Sequence, residues 1–285
     1  MGDETTVQLR HMTRRDIPFG MRLKEIAGWN QTQADWMRLI DLEPEGCFVA
    51  EIDRTPVGTA TAISYEDKFG WVAMVLVDPD FRRRGVGTRL LNACIDYLEQ
   101  HVAAVKLDAT PMGKKLYDTI GFVDEYQLER WRGEGIEARS PDGVTTISDD
   151  LLQAVFEFDA PLFGADRSRL IQRLVGEPDN TALCLLDGRE IAGYGVLRPG
   201  ANAYQLGPLA ASDPETADRI LTALLAAIPH EPVICDLLMP NDFALPLFRD
   251  RAFEKQRYFI RMYRGQNISP GNPELIYAAS GPEKG

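Results

Sequence analysis

Between Val75 and Thr88 the chain reads Val-Leu-Val-Asp-Pro-Asp-Phe-Arg-Arg-Arg-Gly-Val-Gly-Thr, and these residue types at this spacing could bind an anion. An apolar strand ends, Pro79 prevents its continuation, and a loop containing Gly85 and Gly87 opens into an amphipathic helix. The glycines let the backbone approach a ligand closely. The N–H groups of the first helical turn have no partner within the helix, and the dipole is positive there, so a pyrophosphate fits. Arg82, Arg83 and Arg84 crowd the helix end where the dipole disfavours cations, which hints at function rather than stability. The pattern is not G-x-x-x-x-G-K-[ST], which excludes a P-loop nucleotidase, and it lacks the G-x-G-x-x-G spacing of dinucleotide folds.

The elements that must position this loop follow from periodicity. Val7 to His11 reads as a strand, and Ile17 to Ala27 and Thr32 to Leu42 as helices, with Thr13 and Asn30 as candidate caps. The period then changes to two over Cys47 to Ile52, Val57 to Ser64 and Trp71 to Val77, which predicts an antiparallel meander. A helix from Val86 to His101, a strand Ala104 to Asp108, a short helix Lys114 to Ile120 and a strand Asp124 to Trp131 complete the order β-α-α-β-β-β-α-β-α-β.

The end of this half recurs near the end of the chain. Gly113-Lys-Lys-Leu-Tyr117-Asp-Thr-Ile-Gly121-Phe122 aligns without gaps on Ala244-Leu-Pro-Leu-Phe248-Arg-Asp-Arg-Ala252-Phe253, and Glu129-Arg-Trp-Arg-Gly133 on Arg261-Met-Tyr-Arg-Gly265. The second half is therefore a divergent copy, with a boundary between Gly133 and Pro141 where glycines and a Ser-Pro-Asp-Gly run interrupt both periods. The expected domains are residues 1–135 and 136–265, followed by an extended tail, residues 266–285, rich in proline and glycine. In the copy the loop becomes Leu209-Ala-Ala-Ser-Asp213-Pro214-Glu215, a good helix start whose charges repel phosphate, and Phe248 stands where the first half has Tyr117. It is expected to retain the fold without the anion site, to pack on the first half beside that site, and to be removable with ligand affinity nearly intact.

Arg82-x-x-Gly85-x-Gly87 after Leu76-Val77-x-Pro79, together with Leu116-Tyr117-x-x-x-Gly121-Phe122 and the element order of residues 1–135, resembles the GNAT superfamily of N-acetyltransferases. The resemblance implies an α+β fold, a mixed sheet with flanking helices, present here as two GNAT-like domains in tandem with a degenerate carboxy-terminal copy. It implies an enzyme that passes acetyl from acetyl-CoA to a primary amine by direct attack, with no metal. Val75, Leu76 and Val77 would lie along the pantetheine arm, Arg82, Arg83, Arg84, Gly85, Val86, Gly87 and Thr88 would hold the pyrophosphate, and Tyr117 would protonate the departing thiolate. Thr110 and Gly113 replace the Asn and Ala common in the family, so Thr110 offers a hydroxyl near the cofactor in place of an amide. The base stays open among Glu66, Asp67, Asp78, Asp108 and a water chain. A noncatalytic acyl-CoA sensor is the alternative; it needs the loop but not Tyr117.

Composition narrows the partners. The 31 basic and 43 acidic residues give a net charge of −12, which disfavours coating a nucleic acid and suits a small-molecule or peptide amine acceptor. Cys47, Cys94, Cys184 and Cys235 form no C-x-x-C pair, and His11, His101 and His230 lack ligand spacing, so reduced thiols in a cytoplasmic protein without a metal site are expected. Neither a secretory signal nor a membrane span is legible. Oligomeric state and acyl-chain preference are not encoded in any recognisable motif.

Overall fold

In the computed structural model, residues 6–285 are described. Strand β1 (Gln8–His11) leads through a 3-10 turn into helix α1 (Ile17–Ile26), and α2 (Gln33–Leu42) follows. Thr32 caps α2, its hydroxyl and N–H both meeting the Asp35 carboxylate. Asn30, a candidate cap from sequence, is instead buried between the halves, where it binds the Ala203 carbonyl at 3.0 Å and accepts from the Asn202 and Ala203 N–H groups. The meander is β2 (Cys47–Ile52), β3 (Thr55–Tyr65) and β4 (Phe69–Val77), after which come α3 (Val86–Glu99), β5 (Ala104–Ala109), α4 (Pro111–Thr119) and β6 (Val123–Glu134). Leu90, Leu91, Cys94 and Leu98 recur at helical spacing and bury one face of α3 in the core that contains Val57, Ala60 and Val72.

The second half repeats the plan with β7 (Val144–Thr146), α5 (Leu152–Phe163), α6 (Ser168–Gly176), β8 (Thr181–Asp187), β9 (Glu190–Arg198) and β10 (Tyr204–Ala211). Then follow α7 (Pro214–Ala226), β11 (Pro232–Leu238), α8 (Ala244–Arg249), β12 (Glu254–Gly265) and β13 (Ile276–Ala278). All four cysteines are free and buried. No helix among the described residues is long and apolar enough to cross a membrane.

One sheet runs through both halves in the order β1-β2-β3-β4-β5-β12-β6-β11-β10-β9-β8-β7. The last strands of the two copies have changed places: β12 pairs with β5 from Ile260–Ala109 to Gly265–Ala104, while β6 pairs with β11 from Pro232–Glu134 to Leu238–Leu128. The two exchanged strands also pair with each other at the centre. The exchange bears on the expectation that residues 137–285 can be excised with the cofactor site intact, because excision takes β12 from β5 and both neighbours, β12 and β11, from β6.

The first half holds an open gap, and the second half closes its own equivalent. Parallel β4 and β5 are paired only over Phe69–Trp71 against Ala104–Lys106, and β10 and β11 only over Tyr204–Leu206 against Val233–Cys235. Between β10 and β11 the gap is filled by β13, with Leu209 opposite Ala278, Ala210 opposite Ile276, and the Ala279 N–H bonding the Asp236 carbonyl at 2.9 Å.

The tail is thus not the extended appendage its composition suggests. Tyr277, Ser280, Glu283 and Lys284 are buried, and Trp71 Nε1 and Tyr65 Oη donate to the carbonyls of Pro282 (3.1 Å) and Lys284 (2.7 Å). Lys284 pairs with Asp35 and Glu283, and Glu283 also accepts from Arg198 and from Gln31 Nε2 at 2.9 Å. Proline and glycine keep the segment from regular structure, but its charged side chains find counter-ions that lie far away in sequence.

Candidate active site

Strand β4 carries a bulge. Met74 has φ +53 and the register to β3 shifts between Thr59 and Thr61, so the strand is turned where it leaves β5. Thr59 and Thr61 Oγ1 donate to the Met74 and Ala73 carbonyls at 3.0 and 3.3 Å, satisfying groups that the bulge removes from the ladder. Beyond it, Val75 and Val77 face a groove of about 260 Å³ that they line together with Arg82, Arg83, Gly85, Val86, Gly87, Thr88 and Tyr117. Leu76 alternates to the opposite face and is buried in the core. Arg84 lies outside the groove, its guanidinium 5.2 Å from the Phe81 ring.

The loop conformation exposes its donors. Arg83 and Gly85 both have positive φ, +60 and +76, and Gly85 occupies the cap of α3. The first α3-closing bond is Arg89 N–H to Gly85 O at 3.0 Å, and the N–H groups of Val86, Gly87 and Thr88 have no protein partner among the described residues. A Cβ on Gly87 would meet only Val77 Cγ2, at 3.4 Å, so the fold does not demand glycine there; the open face does. Arg82 Nε donates to the Val77 carbonyl at 3.2 Å and holds the loop against the strand end. Three aligned donors, an open cradle and exposed arginines fit a pyrophosphate.

On the other side of Tyr117 lies a second cavity of about 210 Å³, in the gap between β4 and β5. Val75 and Tyr117 line both cavities, so the two adjoin at these side chains. The Tyr117 hydroxyl has no hydrogen-bond partner among the described residues, and burial raises its pKa above the ordinary phenol value. Its proton is therefore retained at neutral pH. Thr110 lines this cleft rather than the phosphate groove, and its hydroxyl caps α4 by accepting from the Gly113 N–H at 3.2 Å.

Of the four carboxylates considered from sequence, only Asp108 reaches the cleft. Glu66 pairs with Lys68 at 2.8 Å, Asp67 sits exposed in the same turn, and Asp78 pairs with Arg22 at 2.5 Å. Asp108 is buried and held bidentately by Arg261 at 2.9 and 3.0 Å; burial outweighs that pairing and raises its pKa. The remaining wall escaped the sequence reading. Arg257 and Phe259 come from β12, Arg130 from β6, Pro282 and Glu283 from the tail, and Trp29 and Gln31 from the α1–α2 connection. Arg257, Phe259 and Arg130 meet through the exchanged strands, and the other four come from irregular segments distant in sequence.

The profile of the acetyltransferase (GNAT) family matches residues 12–122, and that of an acetyltransferase (GNAT) domain matches residues 155–278. The chain belongs to the GNAT superfamily. It is a tandem GNAT acyltransferase, an enzyme with both copies on one chain and one mixed sheet with flanking helices. A holothin acyltransferase from Pseudoalteromonas sp. (strain SANK 73390) is 26% identical over 259 residues, 90% of this chain and 87% of the relative. A Pyrococcus horikoshii protein assigned to the acetyltransferases superposes with a TM-score of 0.86 at 23% identity, covering 98% of this chain and 96% of that one. A tandem GNAT protein from the clavulanic acid biosynthesis pathway gives 0.61 at 13% identity, with 91% and 98% covered. The two structural likenesses bear on the fold alone.

Proposed function

We propose that this GNAT enzyme transfers the acetyl group of acetyl-CoA to a primary amine by direct attack. The observation that carries the reading is that the phosphate-type groove and the cleft adjoin at Val75 and Tyr117, whose phenol has no partner among the described residues. The homologous holothin acyltransferase supports acyl transfer across nearly the whole chain. Residues 1–135 would carry the reaction, and residues 136–265 would build the far wall of the acceptor cleft.

Acetyl-CoA, when bound, supplies an activated thioester. The Val86, Gly87 and Thr88 N–H groups, with Arg82 and Arg83 beside them, hold the pyrophosphate, and Val75 and Val77 flank the arm leading to the cleft. As the amine nitrogen bonds to the acetyl carbon and the carbon–sulfur bond breaks, Tyr117 donates its proton to the sulfur and recovers one from solvent. The proton lost by the amine passes to solvent through water in the cleft, since the Asp108 side chain is fully shielded and both its oxygens are held by Arg261. The products are the amide and free thiol.

Thiol release by the full chain with acetyl-CoA and a panel of primary amines tests this reading. Tyr117→Phe should lower kcat about a hundredfold while leaving acetyl-CoA affinity unchanged. Equal turnover by the variant would remove Tyr117 from the mechanism, and failure of the parent to bind acetyl-CoA would sink the assignment.

A further inference from the structure

The acceptor cleft carries an uncompensated positive charge, built by an arrangement that sheets normally avoid. Arg257 on β12 stands directly opposite Arg130 on β6 in the ladder. Like charges in such a cross-strand pair are destabilising. Both guanidinium groups flank the same ring: Arg257 lies 5.0 Å and Arg130 5.4 Å from the Phe259 centroid. All three residues line the cleft.

The other charges of the cleft are already matched. Asp108 is paired with Arg261, Glu283 with Arg198 and Lys284, and Arg130 with Asp236 through Nε and Nη2, both at 2.8 Å. Arg130 Nη1 has no partner, and the Arg257 guanidinium makes neither a hydrogen bond nor an ion pair among the described residues. The neighbouring carboxylate on β6, Glu129, is on the other face and is engaged by Lys255, Gln127 and Trp131. Burial and the adjacent Arg130 lower the pKa of Arg257 from its usual value, and Asp236, already bonded by Arg130, offsets only part of that.

We infer that the Arg130–Arg257 pair binds a carboxylate borne by the acceptor amine, so the substrates are amino acids or short peptides and not polyamines. This rests on the acetyl-transfer reading above and adds the acceptor class to it. A carboxylate between the two guanidinium groups relieves their repulsion and uses the free donors of both. The overall negative charge of the chain gives no hint of this, because the site is a local reversal of sign. Arg257 is a specificity residue supplied by the degenerate half through the exchanged strand.

The test uses the full chain with acetyl-CoA, after calorimetry on the same sample has established cofactor binding. Failure at that step belongs to the parent reading. The probes are glycine, β-alanine, 4-aminobutyrate, glycylglycine and the common L-amino acids, each beside its carboxamide, with spermidine as the polyamine. The best carboxylate should exceed its carboxamide in kcat/KM by about tenfold or more, the range for a charge-assisted hydrogen bond. Arg257→Gln should erase that ratio through KM, and Arg257→Lys should retain part of it; thermal unfolding confirms that both variants fold. Carboxamides or spermidine turned over as well as carboxylates, a ratio unchanged by Arg257→Gln, or no carboxylate turned over at all would each overturn the inference. Preference for succinyl-CoA over acetyl-CoA, lost in Arg257→Gln, would place the carboxylate on the acyl group instead and overturn its assignment to the acceptor.

Discussion

Gly87→Glu separates the cofactor site from the fold because its two effects have opposite signs. The added Cβ meets only Val77 Cγ2 at 3.4 Å, an ordinary contact, and Gly87 is not among the positive-φ residues. Replacing a glycine inside a helix gains about 0.5–1 kcal/mol, and an acidic side chain in the first turn gains about 0.3–1 kcal/mol from the dipole. The variant should therefore unfold about 2–4 °C above the parent. The same carboxylate stands where the pyrophosphate would meet the Val86, Gly87 and Thr88 N–H groups. At ~5 Å and an effective dielectric of ~20, one pair of unit charges repels by about 3 kcal/mol, or over a hundredfold in Kd. Calorimetric titration with acetyl-CoA should show one site per chain in the parent, since β13 fills the corresponding gap of the second half, and no measurable site in the variant. Unchanged affinity would refute the placement of the pyrophosphate. Two sites per chain would refute the claim that β13 closes the second gap, and a fall in thermal stability would refute the reading of Gly87 as a functional glycine.

Two further outcomes concern the buried charges that join the halves. Burial alone would raise the Asp35 carboxyl, but Lys284, Arg198 and Arg38 outweigh it and hold its pKa well below the usual range; Glu283 is lowered against its burial by Lys284 and Arg198. Groups depressed in this way stabilise the fold above their ordinary pKa and lose that contribution as pH falls, so the unfolding temperature should drop from about pH 5 downward. Asp35→Asn should flatten that slope, and an unaltered slope would contradict the assignment. Lys284→Met removes a fully buried cation from Asp35 and Glu283 and should cost about 3–5 kcal/mol in urea unfolding. A loss under about 1 kcal/mol would mean that the two carboxylates are satisfied without it.

Parts of the site were legible because their physics is local. Glycine at the cap, unpaired N–H groups in a first turn and arginines against a dipole involve neighbours in sequence, and the groove they predict contains Arg82, Arg83, Gly85, Val86, Gly87 and Thr88 together with Val75, Val77 and Tyr117. Parity in β4 sends the Leu76 side chain to the core and leaves only its backbone for the groove side, and the Arg84 guanidinium rests on Phe81. Local reasoning named Asn30 as a cap because it could not see Ala203, the distant partner that the side chain binds.

The sequence by itself determined the meander, the helix-borne phosphate loop, the internal repeat and the loss of the loop from the second copy, since each is written in periodicity or residue type over a short span. Only the tertiary structure decided which copy of a repeated strand lies beside which sheet. Alternation sets the face that a strand buries but not the strand it pairs with, and β6 and β12 carry equivalent patterns, so either could close either half. That exchange brings Arg257 opposite Arg130, and the return of the tail brings Glu283 and Lys284 to Asp35 and Arg198. Charges this far apart along the chain meet only through packing, and so the acceptor cleft, unlike the phosphate loop, has no signature in any single segment.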